Sequence, residues 1–352
     1  MKSLDQSFIE QQSIPIEFAG TLRALGEYRG KQELFGHQTP QILETLKQIA
    51  IVQSTESSNR IEGVVVGEER LKILMEKKTA PRDRPEAEVV GYRDALAKIH
   101  NLFESYDISP ETILKIHQDM FRLTELPAGS WKPRDNTVEE RLPDGSWVTR
   151  FIPVPAKDTP YFVQGLCERF NQLRAERRVD QLLLIHAFVF DFLCIHPFLD
   201  GNGRVSRLLT VLLLHQAGYD VGRYISLEKL IEESKETYYE VLHRTSVGWH
   251  EGKHQLLPWW RYSLGILLVA YKQFEDRVGA VRTSRGAKTV WIHQAIENLP
   301  GEFSIGELSR ACPGVSRPMI RVVLESLRNE GKLKSLGTGR GARWAKVKKD
   351  RG

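Results

Sequence analysis

Between Gln181 and Ile195 the chain reads QLLLIHAFVFDFLCI, with polar side chains only at the first position, His186 and Asp191. A helix of this kind has no solvent face, so it must be enclosed on every side by other elements. The apolar stretch from Leu182 to Leu199 carries His186, Asp191 and His196, which makes it a poor membrane span. A buried central helix requires a shell around it, and 352 residues are enough for that shell and for a second domain. With 41% apolar and 27% charged residues, the composition is that of an ordinary globular protein.

The shell reads as further helices, which makes the fold class mainly α. Thr39-Pro40 opens one helix, with Ile42, Leu46, Ile49 and Ala50 on its inner face. Ser109-Pro110-Glu111 opens another, and Thr159-Pro160 a third that runs to about Arg177. Arg204–Gln216, Ser226–Thr245 and His254–Val281 complete the expected helical set. Asn136–Ile152 departs from this pattern. It places Pro143-Asp144-Gly145 between two short extended runs and predicts an isolated hairpin serving as a flap or edge.

The formal charge of +5 is unevenly spread. From residue 281 onward there are 15 Lys+Arg against 6 Asp+Glu, and before it 35 against 39. Residues 281–287 read as a linker. After it come a helix, a short extended run, two more helices and two strands around Gly337–Gly341, an order that resembles a winged helix-turn-helix. The expected divisions are an N-terminal helical region over 1–95, a second helical domain over 96–280 and the winged unit over 288–348. Cys167, Cys194 and Cys312 are far apart and lack metal spacing, which argues against a disulfide framework or a structural zinc. No apolar leader is visible in MKSLDQSFIEQQSIP, so a reduced, cytoplasmic setting is expected.

The chemistry concentrates in His196-Pro197-Phe198-Leu199-Asp200-Gly201-Asn202-Gly203-Arg204-Val205-Ser206-Arg207. Gly201 and Gly203 permit a tight turn and close approach of a ligand. A helix starting there aims free N–H groups and the positive end of its dipole into the turn, forming an anion site. Arg204 and Arg207 lie three apart on one face and add charge for phosphate. Asp200 is a hard oxygen ligand at the rim, suited to magnesium, and His196 can take a proton near neutral pH. A base, an anion cradle and a metal carboxylate suggest phosphoryl or nucleotidyl transfer to a hydroxyl.

This run resembles the Fic signature HPFx(D/E)GNGRxxR at every fixed position. The resemblance spans roughly residues 35–265 and implies transfer of AMP from ATP to a Ser, Thr or Tyr hydroxyl of a protein. On that reading His196 is the general base and Asp200 holds magnesium. Gly201, Asn202, Gly203, Arg204, Val205 and Ser206 form the nucleotide-binding stretch, and Arg207 takes the γ-phosphate. In a kinase-like branch of the family Lys stands at the position of Gly203, so the glycine favours AMP transfer.

Upstream, Ser58-Asn59-Arg60-Ile61-Glu62-Gly63 resembles the family's inhibitory motif (S/T)xxxE(G/N). Glu62 sits in the last turn of a helix that Gly63 ends, the wrong end of the dipole for a carboxylate, and a cation must offset it. The resemblance supplies Arg207 as that cation, with Ser58 supporting the carboxylate. It further makes the hairpin a flap on which Val148, Thr149, Arg150 and Phe151 edge the nucleotide, and makes Tyr238 and Tyr239 an adenine-lining pair. Ser246 stands where some relatives have Asn. In the tail, Arg317, Arg321 and Arg328 on one helix, with Lys332, Lys334, Arg340 and Arg343 at the wing, mark DNA as a candidate partner. Two further readings stay open here: removal of AMP by the same site, and a DNA-binding regulator with a nucleotide-sensing core. A homodimer is also consistent with the resemblance.

Overall fold

The computed structural model describes residues 2–38, 40–76, 78–141, 144–279, 287–312, 315–337 and 343–347. The body runs α1 (Gln6–Glu10), α2 (Ile16–Gln38), α3 (Pro40–Ile61), α4 (Glu68–Met75), α5 (Arg84–Leu102) and α6 (Pro110–Phe121). An antiparallel hairpin follows, β1 (Val138–Arg141) with β2 (Trp147–Phe151). Then come α7 (Thr159–Glu176), α8 (Gln181–Ile195), α9 (Asn202–Gln216), α10 (Leu227–Glu233), α11 (Lys235–Ser246) and α12 (Leu257–Gly279). The C-terminal unit comprises α13 (Ala287–Asn298), β3 (Glu302–Ser304), α14 (Ile305–Ala311), α15 (Arg317–Asn329), β4 (Leu333–Ser335) and β5 (Arg343–Lys346). The chain is mainly α with two small antiparallel sheets.

The apolar segment forms α8 with the bounds its composition sets, and α7, α9 and α12 pack around it. Asp180 starts it by accepting from the N–H of Leu182 at 2.8 Å. Its buried polar groups are answered from outside the helix. Asp191 accepts from Ser3 N–H at 3.0 Å, from the Ser3 hydroxyl and from Trp249 Nε1 at 2.7 Å. These bonds strap the N-terminal segment to the core. Burial still pushes the Asp191 carboxyl upward, against those donors.

The expected helix over Ser226–Thr245 is two helices, divided at Ser234. The Ser234 hydroxyl bonds back to Leu230 O at 2.9 Å and its backbone leaves the helical region, a local competition to which serine is prone. Helix α5 has no counterpart in the sequence reading. It is packed close to α6, because a Cβ on Gly91 would lie 1.8 Å from Met120 O. Pro143, the Pro313-Gly314 turn, Arg340 and residues 281–286 of the expected linker lie outside the described residues.

The C-terminal unit has its own core, including Phe303, Leu308, Ile320, Leu324 and Trp344. Phe303 lies in a third strand, which gives the sheet order β3-β5-β4. Ser304 and Glu307 form a capping box at α14, and Glu307 also pairs with Lys72 on α4. Burial opposes the Glu307 charge, but Lys72 and Ser304 override it and hold the carboxyl near about 2.

Five buried histidines set an acid limit on the fold. His100, His117, His186, His215 and His254 are each held below the ordinary imidazole value by burial. The unfolded chain takes up these protons near pH 6.5 while the native chain does not, so stability falls as pH drops below that point. Each neutral site costs about 1.4 kcal/mol per pH unit until its own lowered value is reached. The urea midpoint is expected to be flat above about pH 6.5 and to fall steeply toward about pH 4. A flat midpoint across that interval would contradict burial of neutral imidazoles.

Candidate active site

Helix α8 ends on His196, whose backbone is left-handed at φ 51° while its N–H still bonds Phe192 O at 2.9 Å. The imidazole Nδ1 lies 3.2 Å from Leu193 O. A carbonyl only accepts, so Nδ1 carries the proton and Nε2 keeps its lone pair. Burial lowers the imidazole pKa to about 4, against the Leu193 O bond; the Lys132 charge acts with burial, and Glu62 and Asp200 oppose it. His196 is thus a neutral base at physiological pH.

The following turn is fixed by its own side chains. Asn202 accepts from Phe198 N–H at 2.9 Å and donates to Phe198 O at 2.7 Å. Gly201 has φ 84°, and a Cβ there would come within 2.5 Å of the Phe121 ring. The first bond of α9 is Val205 N–H to Gly201 O at 2.9 Å, so the N–H groups before it form the free helix start. The Val205 side chain is in the core, and the Ser206 hydroxyl bonds Gly203 O at 2.7 Å. Neither side chain faces a ligand space, which leaves the free N–H groups of the preceding turn as the anion-facing part of this stretch.

Both arginines are buried and already paired. Arg204, 1% exposed, donates to Glu88 on α5, to Asp200 at 3.2 Å and to Asn59 Oδ1 at 3.3 Å. Arg84 closes a ring, bonding Glu88 at 2.5 Å and Asp200 at 2.8 Å. Two guanidinium groups and two carboxylates therefore alternate around a circuit at the base of the turn. Arg207, 3% exposed, donates through Nε to Ser58 Oγ at 2.8 Å and through Nη2 to Ser58 O at 2.9 Å and Glu62 Oε1 at 2.8 Å. Burial works against its charge, and Glu62, joined by Tyr238 and Tyr92, more than restores it. Arg207 Nη1 is buried without a hydrogen-bond partner.

Glu62 reaches this place because α3 stops just before it. Gly63, at φ 81°, and Val64 return their N–H groups to Arg60 O and Asn59 O at 3.0 Å, the paired bonds of a Schellman ending. A Cβ on Gly203 would fall 2.2 Å from Glu62 Oε1, so the glycine opens the space that this carboxylate fills.

The remaining expected residues divide. On the hairpin Arg150 pairs with Glu140 at 2.6 Å, and Phe151 stacks on His250 with centroids 5.5 Å apart. Thr149 is exposed and Val148 partly so, and β2 lies against α11, the helix carrying both tyrosines. Tyr238 is buried against Trp259 and Tyr262, whereas Tyr239 faces outward. Ser246 caps its own helix by bonding His243 O at 2.9 Å. In the C-terminal unit, Arg317 and Arg321 are exposed on α15, Arg328 pairs with Glu325, and Arg343 donates to Glu302 O at 3.3 Å. Sequence reasoning missed Glu88, Arg84 and Lys132. The first two form an i,i+4 pair on an unanticipated helix, and no sequence signal joins either to a motif more than a hundred residues away.

Residues 107–214 match a family model described as the Fic/DOC family. That stretch carries a Fic domain. Among curated relatives, the protein adenylyltransferase fic-1 of Caenorhabditis briggsae is 26% identical over 211 residues, which cover 58% of this chain and 36% of that one. A probable protein adenylyltransferase of Aquifex aeolicus is 27% identical over 176 residues, covering 48% of this chain and 51% of the other. The matched region therefore spans between about a third and a half of those relatives. The fold resembles that of a Fic family protein from Desulfovibrio desulfuricans with a TM-score of 0.62 at 19% identity, over 96% of this chain and 98% of that one. A Fic domain containing signaling protein from Bacteroides thetaiotaomicron gives the same score and identity over 73% and 97%.

The ring in the Fic domain has a buried half and an exposed half. Glu88→Ala strands the enclosed Arg204 charge and is expected to cost about 3–5 kcal/mol. Arg84→Ala removes a half-exposed partner and should cost less than about 1 kcal/mol. Urea denaturation of the two variants checks this, and equal costs would contradict the asymmetry.

Proposed function

We propose that the chain is a protein adenylyltransferase held in a self-inhibited state, moving AMP from ATP to a hydroxyl side chain of a protein. The observation that carries this is the Arg207–Glu62 pair beside the start of α9. A cation suited to a phosphate is engaged by a carboxylate from another helix, and its remaining nitrogen is orphaned in the same space.

The residues also fit magnesium in the manner of a nucleotide enzyme. Among the described residues no group of three or more His, Cys, Asp or Glu could hold a metal alone. Asp200 is a single, half-exposed carboxylate at the rim of an anion site, and magnesium commonly combines one carboxylate with substrate phosphates. When bound there it would offset phosphate charge.

In the reaction, His196 Nε2 takes the proton of the target hydroxyl. The hydroxyl oxygen bonds to the α-phosphorus while the bond from that phosphorus to the bridging oxygen breaks, and pyrophosphate leaves with the electron pair. The free N–H groups of α9, with Arg204, stabilise the charge that builds on the phosphoryl oxygens. Arg204 must first be drawn from its ring with Glu88 and Asp200. Glu62 must leave Arg207 for a γ-phosphate to take its place. The flap offers a strand edge to the target and Tyr239 an open ring face to adenine.

A DNA-binding role for the C-terminal unit, read as a winged helix, draws on exposed Arg317 and Arg321. The local pairing of Arg328 with Glu325 weakens it, so the transferase reading stands first. His196→Ala is expected to abolish AMP incorporation from labelled ATP, and Glu62→Gly to raise it at least about tenfold by freeing Arg207. Mass spectrometry of protein exposed to Mg·ATP reads the adduct. An unchanged signal in Glu62→Gly would overturn the inhibitory assignment.

A further inference from the structure

Lys132 lies between α6 and β1 and is only 3% exposed, an uncommon state for a lysine. A long cationic side chain ordinarily extends its amine to water. Here the amine turns inward, donating to Asn136 Oδ1 at 2.8 Å and to Ile195 O at 3.3 Å. Ile195 is the last residue of α8, so a cation meets an open carbonyl at the negative end of the helix. The same loop takes hold of the chain beyond the base. Lys132 N–H bonds Pro197 O at 2.8 Å, and Asn136 Nδ2 bonds Phe198 O at 3.0 Å. Trp131 stacks on Phe198 with centroids 5.4 Å apart.

The carbonyls flanking His196 on both sides are therefore gripped by one loop. Between them His196 occupies left-handed backbone, a conformation that strains a residue with a side chain. Such strain persists only where surrounding contacts impose it. The Nδ1–H to Leu193 O bond, which leaves Nε2 free as the base, depends on that turn. A charge is also placed where it matters, since Lys132 disfavours the imidazolium while Glu62 and Asp200 favour it. Burial lowers the Lys132 amine to about 8, with Asp135 acting against that, so the amine is mostly charged at neutral pH.

We propose that Lys132 is a positioning residue for His196: it holds the left-handed turn that aims Nε2 outward and sets its ammonium beside the imidazole. The role of Nε2 as acceptor rests on the adenylyltransferase reading, but the hold on the imidazole does not.

The test uses the full chain with Lys132→Met, Lys132→Gln and Lys132→Arg. Nitrogen-15 NMR of the imidazoles, with His196 assigned by its loss in His196→Gln, reports tautomer and protonation midpoint without any substrate. Lys132→Met is expected to lose the Nδ1–H tautomer together with the Leu193 O bond that favours the imidazolium, so the His196 midpoint falls. Lys132→Gln, which keeps donors but no charge, should raise the midpoint and retain the tautomer. Lys132→Arg should change neither. In the Glu62→Gly background, Lys132→Met should lower kcat by roughly 10- to 100-fold, part of what a general base contributes, with KM for ATP unchanged. An unmoved His196 signal in both Lys132→Met and Lys132→Gln would overturn the proposal, as would Lys132→Arg shifting as far as Lys132→Met. If Lys132→Met does not fold, Lys132→Gln and Lys132→Arg still decide on the charge. Absence of any AMP adduct from Glu62→Gly, with the NMR shifts as expected, would refute the transferase reading alone.

Discussion

Two arginines are buried at the start of a helix, where the dipole already repels positive charge. Arg204 and Arg207 can stand in the first turns of α9 only if anions are brought to them. The fold supplies those anions from different directions: Glu88 from α5, Glu62 from the end of α3, and Asp200 from the turn itself. That requirement fixes where α3 and α5 lie against α9. It explains why the chain invests in a tight α5–α6 contact at Gly91 and in a glycine at position 203, where Glu62 enters.

The same arrangement makes the resting site self-contained. Each cation that a phosphate would attract is matched by a carboxylate of the chain, and the carboxylate suited to a metal is matched by Arg84 and Arg204. Loading the site thus exchanges one set of ion pairs for another of similar charge pattern. The cost of opening it is then set by differences between pairs.

His196 is set apart on a different principle. Burial holds its imidazole neutral, and its backbone turns left-handed at the end of α8 beside a loop that is remote in sequence. The motif itself was legible residue by residue, because glycines, arginines and a histidine at fixed spacing have few other uses. The hairpin, α8, the start of α6 capped by Ser109 and the proline-marked start of α7 were legible for the same local reasons. Glu88, Arg84 and Lys132 were not, since a lone acid or base on an amphipathic stretch reads as a solvated surface group until its neighbours are known. Ser234 escaped notice because one hydroxyl decides between one helix and two.

The sequence by itself determined that a helix without a polar face must lie at the centre, that a tight glycine turn must follow it, and that Gly63 must end the helix just before it. Those conclusions rest on periodicity, backbone freedom and capping, which act over a few residues. Only the tertiary structure decided which acid meets which arginine, which tyrosine of the pair faces outward and which loop holds the base. Those outcomes depend on charges and rings brought together across separations that run from about twenty residues for Tyr238 and Trp259 to 145 for Glu62 and Arg207, where no local pattern records the distance.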